Sequence, residues 1–219
     1  MSREARLYVL LAINLVLIVV QAFVGVTANS LGVLAAAGDY LADSGAVLIA
    51  LLALWLARQP PTQRRPHGYP YAAAVASLVN AVMLGAYVVF VVVASVHRLL
   101  TGTQEVDGLP VLITSAVAAL GMVIGAFVVG GDEERDDDSA ADRANMRAVL
   151  LDTVADAAAA AGVAVAGAVI LVTGGWYWLD PAVALVIAVV IGYHVVQLVR
   201  DVIADLRAGR SPHARALDA

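Results

Sequence analysis

No cysteine occurs in this 219-residue chain, which excludes disulfides and thiolate metal ligands. Lysine is also missing, so all 13 basic residues are arginine. Charged residues make up 14% of the chain and aromatic residues 6%, and the charges cluster, leaving long uncharged runs between them. What fills those runs is apolar: 62% of the residues are hydrophobic, against roughly 45–50% in soluble domains. The composition is that of a membrane protein, with the lipid bilayer as its first partner and no nucleic acid expected. The first apolar segment is too long for the core of a cleaved signal and has no small-residue cleavage site after it, so it reads as a retained span.

Six segments reach the length of a spanning helix, about 20 residues for a ~30 Å hydrocarbon core. They lie near 7–28, 33–57, 70–99, 109–130, 145–173 and 180–200. Turn chemistry separates them: Asn29-Ser30, the Pro/Arg-rich stretch Ala57 to Pro70, the stretch Thr101 to Pro110, and Gly174-Gly175 ahead of Asp180-Pro181. Each span must be helical, because backbone groups in lipid find partners only within their own segment. The expected fold class is therefore all-α, a polytopic six-helix membrane protein, with a domain over 1–200 and a short tail over 201–219. With a cytoplasmic N-terminus, twelve arginines fall on the cytoplasmic side and only Arg98 on the other. That asymmetry predicts both termini in the cytoplasm, and the expected location is a bacterial inner membrane. Trp176 and Trp178 then fall at the far interface and Trp55 at the near one.

Four aspartates stand inside this apolar frame, in two pairs of equal spacing: Asp39 with Asp43, and Asp152 with Asp156. Positions i and i+4 share one helix face, so each pair directs two carboxylates the same way. An ionisable group at membrane depth costs roughly 2.5–3.5 kcal/mol even on the lenient scale, so four of them imply a compensating cation, bound protons, or both. Two helices that each offer such a pair supply a four-oxygen metal cage. Crowded carboxylates cannot all ionise, so some keep protons until a divalent cation displaces them. That exchange is the core of metal/proton antiport. Small residues flank both pairs, Ala35 to Gly38, Ala42, Ser44 and Gly45 in the second helix and Ala155 with Ala157 to Ala161 in the fifth, and let helices approach closely enough to share one ion.

These stretches resemble the cation diffusion facilitator family of divalent metal exporters. Asn29-Ser30-Leu31 leading into AAAGDYLADSGA is similar to the family's entry into helix 2. NMRAVLLDTVADAAAAAGV is similar to helix 5, RRPHGYPYAAAVASLVNAV to the entry into helix 3, and WLDPAVALVIAVVIGYHVVQLVRD to helix 6. The resemblance implies a proton-coupled exporter with Asp39, Asp43, Asp152 and Asp156 as metal ligands, working as a homodimer through its membrane helices. Three departures stand out. Zinc-transporting members commonly have histidine at the positions of Asp39 and Asp152, and the all-aspartate set is similar to the manganese or iron branches. Ala73 replaces a glutamate. The usual cytoplasmic C-terminal domain, a metal-sensing module, is expected to be absent, since about nineteen residues follow helix 6, too few for it.

Hard oxygen donors favour Mn2+, while the Irving–Williams order favours Zn2+. The flanks are closer to the zinc-type branch, so the expected cargo is Zn2+ with Cd2+, then Mn2+ or Fe2+, with H+ as counter-ion. Of the histidines, His194, His97, His67 and His213 each lack a second ligand at metal spacing and read as structural or exposed. Asn14, Gln21 and Asn80 are buried polar candidates for interhelical hydrogen bonds, or for orienting an aspartate. The connection over 132–142 holds seven of the 18 acidic residues and reads as a solvated loop, with collection of cations as the functional alternative. A passive cation channel and a non-transporting membrane partner are the readings of other classes. No nucleophile–base pair accompanies the acids, so no enzymatic activity and no cofactor are expected.

Overall fold

The computed structural model describes residues 3–57, 72–130 and 140–207, and for 3–14, 46–47, 50–57, 72–74, 125–130, 140–152 and 205–206 it describes the backbone alone. The Pro/Arg connection with His67, the acidic connection up to residue 139 and the tail with His213 lie outside the described residues. So do the side chains of Asn14, Trp55, Ala73 and Asp152.

Six helices follow one another: α1 (Arg3–Thr27), α2 (Leu31–Ala57), α3 (Ala72–Thr101), α4 (Gly108–Gly130), α5 (Ala140–Thr173) and α6 (Leu179–Arg207), with no strand among the described residues. The protein is an all-α integral membrane protein. Three stretches, Val75–Thr101, Thr153–Thr173 and Leu179–Ala204, are long and apolar enough to cross a bilayer on their described residues, and α1 and α4 carry shorter apolar stretches. Their outer surface is itself apolar. Phe23, Val89, Phe90, Val172 and Val189 all face outward, as lipid-facing side chains do.

The helices match the six expected segments, but α1, α5 and α6 overrun them, α1 by beginning at Arg3. α5 begins at Ala140 rather than near 145, and α6 runs on to Arg207 rather than ending near 200. Apolarity limits the membrane span, whereas the helix continues as long as good helix formers follow. The added residues, Ala-Ala-Asp-Arg-Ala before α5 and Asp-Val-Ile-Ala-Asp-Leu-Arg after Arg200, are polar but helix-compatible.

α4 and α5 pack most closely, α3 lies along α6, and α2 touches α1, α3, α5 and α6. The α4–α5 approach is backbone to backbone. A methyl group on Gly108 would lie 2.7 Å from the Gly167 carbonyl oxygen, and one on Gly167 would lie 2.8 Å from the Leu112 nitrogen. One apolar core joins Leu31 and Val33 of α2 to Leu84, Val91, Val163, Ile187 and Ile191, and a second gathers around Tyr40.

The entry to α2 explains how its carboxylates are held in place. α1 ends with Asn29 at φ 57°, a left-handed conformation that asparagine tolerates better than most residues. The Ser30 N–H donates to the Gly25 carbonyl at 2.9 Å and the Asn29 N–H to Val26 at 3.3 Å, the paired bonds of a Schellman stop. Ser30 then caps α2, accepting the Val33 N–H at 3.1 Å. The remaining N-terminal donors go to a residue from another helix. Asp180 of α6 accepts the Leu31 N–H at 2.6 Å and the Gly32 N–H at 3.1 Å, and the Ser30 hydroxyl at 2.5 Å. Arg98 of α3 lies 4.0 Å from the same carboxylate and donates to the Asn29 carbonyl and side-chain oxygen, both at 2.6 Å. Asn29 in turn donates to Gln104 at 2.9 Å and to the Glu105 carbonyl at 3.1 Å. The three short connections of the bundle therefore meet at one end, tied to one another.

Candidate functional site

α2 is unbroken from Leu31 to Ala57 and α5 from Ala140 to Thr173, so each aspartate pair keeps its one-turn spacing. Asp39 and Asp43 are half-buried, as is Asp156. Between them stands Tyr40, which is 1% exposed. Its hydroxyl is within electrostatic reach of Asp39 and Asp43 on its own helix and of Asp156 on α5. Around its ring pack Leu17 and Ile18 of α1, Ala118, Ala119 and Met122 of α4, and Ala160 of α5. Four helices thus meet in the cluster that holds Tyr40, and three of the expected ligands lie within electrostatic reach of its hydroxyl.

The described side chains do not form a closed metal cage: among them no three His, Asp or Glu groups converge at metal-holding range. The fourth expected ligand, Asp152, lies one turn before Asp156 on α5, with its side chain outside the described set. The carboxylates within electrostatic reach of Tyr40 belong to two helices, so movement of α5 against α2 changes their separation. That seam is more lightly packed than the α4–α5 or α1–α2 contacts.

α2 is pinned on its other face. The Tyr87 hydroxyl of α3 donates to the Leu34 carbonyl, and its ring fills the space over Gly38, where a Cβ would come within 2.1 Å of it. Asn80 sits over Gly45 in the same way, its Oδ1 2.5 Å from where a Cβ would be. Residues 43 and 45 differ by about 200° around a helix, so Asn80 packs on the side of α2 away from Asp43. His194 is exposed, its ring 6.1 Å from that of Tyr193. His97 is exposed and its carbonyl accepts the Thr101 hydroxyl at 2.7 Å. Neither histidine joins the aspartates in a cluster.

Two buried residues carry no motif that announces them. Tyr40 is one aromatic among small residues, and only its place between two aspartates hints at a role. Asp180 abuts an apolar span at the end where Arg98 is the only arginine among the described residues. An acid and a lone base at one end of a charge-poor chain are the signal for that pair.

A family model described as the cation efflux transmembrane domain matches residues 7–207. The zinc transporter ZitB of Yersinia pestis is 32% identical over 209 residues, covering 95% of this chain and 64% of the relative. The proton-coupled zinc antiporter SLC30A2 of Mus musculus is 29% identical over 211 residues, 93% of this chain and 57% of its own length. The cadmium, cobalt and zinc/H(+)-K(+) antiporter of Bacillus velezensis is 27% identical over 182 residues, 81% of this chain and 55% of that protein. The chain spans a little under two thirds of the first of these relatives and somewhat over half of the other two.

Proposed function

The chain belongs to the cation efflux, or cation diffusion facilitator, family, and from that premise we propose that it exports divalent transition-metal cations in exchange for protons. Zn2+ is the favoured cargo with Cd2+ beside it, and Asp39, Asp43, Asp152 and Asp156 are its ligands. The observation that carries this reading is that Asp39 and Asp43 of α2 and Asp156 of α5 all lie within electrostatic reach of the buried Tyr40 hydroxyl. Support for the ion comes from relatives named for zinc, and for cadmium, cobalt and zinc. The all-oxygen donor set leaves Mn2+ and Fe2+ as the alternative cargo.

In this reading the carboxylates share protons when no cation is bound, because like charges in a medium of low dielectric cannot all ionise. An arriving cation displaces those protons, and returning protons release the cation on the other side. The lightly packed α2–α5 seam lets the two pairs close on an ion and part from it. The transport unit is a homodimer in a bacterial inner membrane with both termini cytoplasmic, and its role is transport rather than catalysis.

Proteoliposomes containing a pH dye, supplied in turn with zinc, cadmium and manganese, test the reading. The expected result is metal uptake with opposite proton movement, fastest for zinc. Asp43→Ala and Asp156→Ala should each abolish it while the protein remains folded. Metal entry without proton counterflow, or flux at channel rates, would sink antiport, and transport that survives both substitutions would remove the aspartates.

A further inference from the structure

Beside the aspartates stand buried polar side chains that the protein itself does not satisfy. Gln21 of α1 and Tyr40 and Ser44 of α2 are each 1% exposed. Both amide atoms of Gln21, the Tyr40 hydroxyl and the Ser44 hydroxyl make no well-formed hydrogen bond. The Gln21 side chain stands at the Tyr40 hydroxyl, near enough for a loose hydrogen bond but short of full distance and angle. Ser44 follows Tyr40 by one turn and so shares its side of α2. Buried polar groups are nearly always paired. Three together beside Asp39 and Asp43 point to a ligand that brings its own hydrogen bonds.

The chemistry of the three narrows that ligand. Amide and hydroxyl groups are neutral and both donate and accept. An anion is repelled by the neighbouring carboxylates. An apolar ligand leaves the polar atoms as they are, and a bare cation goes to the carboxylates first. A water molecule bound to a cation fits better: the metal polarises it into a strong donor, for which the Gln21 Oε1 and the Tyr40 oxygen are acceptors. We propose that Gln21 and Tyr40, with Ser44 beside them, hold the water that a divalent cation retains when the aspartates take it. They are positioning residues for the cargo and act on ion choice, because ions differ in the water they keep. Zinc sheds water to reach four protein ligands, whereas harder ions keep a fuller shell. The proposal rests on the reading of the aspartates as cation ligands.

Tyr40→Phe and Gln21→Met remove the polar atoms and keep the bulk. In proteoliposomes each should raise KM for zinc about two- to tenfold, the worth of one hydrogen bond, with the maximal rate little changed. Uptake of manganese should fall more than uptake of zinc. The unfolding temperature of the metal-free protein should stay level or rise, since an unpartnered buried group leaves with the substitution. Unchanged KM and unchanged zinc-to-manganese preference in both variants, beside an active wild type, overturn the water-holding role and leave the aspartate reading intact. A lowered unfolding temperature in both variants also overturns it, by making the two residues supports of the fold. A wild-type protein that moves no metal overturns both proposals together.

Discussion

Asp180 is 2% exposed, and moving a carboxylate that far from water costs several kcal/mol unless hydrogen bonds and charge offset it. Here the offset comes from two N–H groups of α2, the Ser30 hydroxyl and Arg98. Asp180→Ala strips two helix donors of their acceptor and leaves Arg98 without its carboxylate. The loss expected in detergent-solubilised protein is about 3–5 kcal/mol, as for other broken buried pairs, read from denaturant unfolding. Ser30→Ala should cost about 1 kcal/mol, as for a lost helix cap. The double variant should cost less than the sum, because the two residues share a bond. The break and the cap at Asn29-Ser30 are legible in the local sequence. The acceptor of that cap lies 150 residues away, and nothing local names it.

Where the spans lie was legible from the length of the apolar runs, since the bilayer sets that length. Their ends were not, because α5 and α6 continue through polar residues where propensity decides. Small residues around the aspartates announced close packing, but not which helix fills each notch. Gly38 receives the Tyr87 ring and Gly167 receives the backbone of α4, whereas Gly121 has open space. Valine at position 167 must push α4 and α5 apart, so Gly167→Val should lower the unfolding temperature by several degrees. Gly121→Ala in the same assay should be silent or slightly stabilising, since it relieves glycine's entropic cost of roughly 0.5–1 kcal/mol without a clash. Equal effects from the two would remove the close crossing from the account of α4–α5 stability. The aspartate pairs were legible for the same reason as the spans, a fixed period along a helix. Tyr40 was not, because its importance comes from four helices meeting on it.

At the scale of the whole molecule, one end gathers the three short connections, held by Asn29, Arg98 and Asp180. Counting the spans from the N-terminus, twelve of the 13 arginines are expected on the opposite side. The exception has a structural use, since Arg98 is bound into that tied end rather than offered to a membrane surface. From that asymmetry the positive-inside rule predicts the tied end outside, an expectation that labelling tests. Because the chain has no cysteine, a single introduced thiol is a unique reporter of side. Glu105→Cys, exposed near the tied end, should react with a membrane-impermeant maleimide in intact cells. Arg207→Cys, exposed at the end of α6, should react only after the membrane is opened. The reverse pattern would invert the topology and overturn the orientation drawn from the arginines. The labelling therefore tests orientation alone, because the sign of an exchanger's transport follows from the two ion gradients whichever way the chain sits in the membrane.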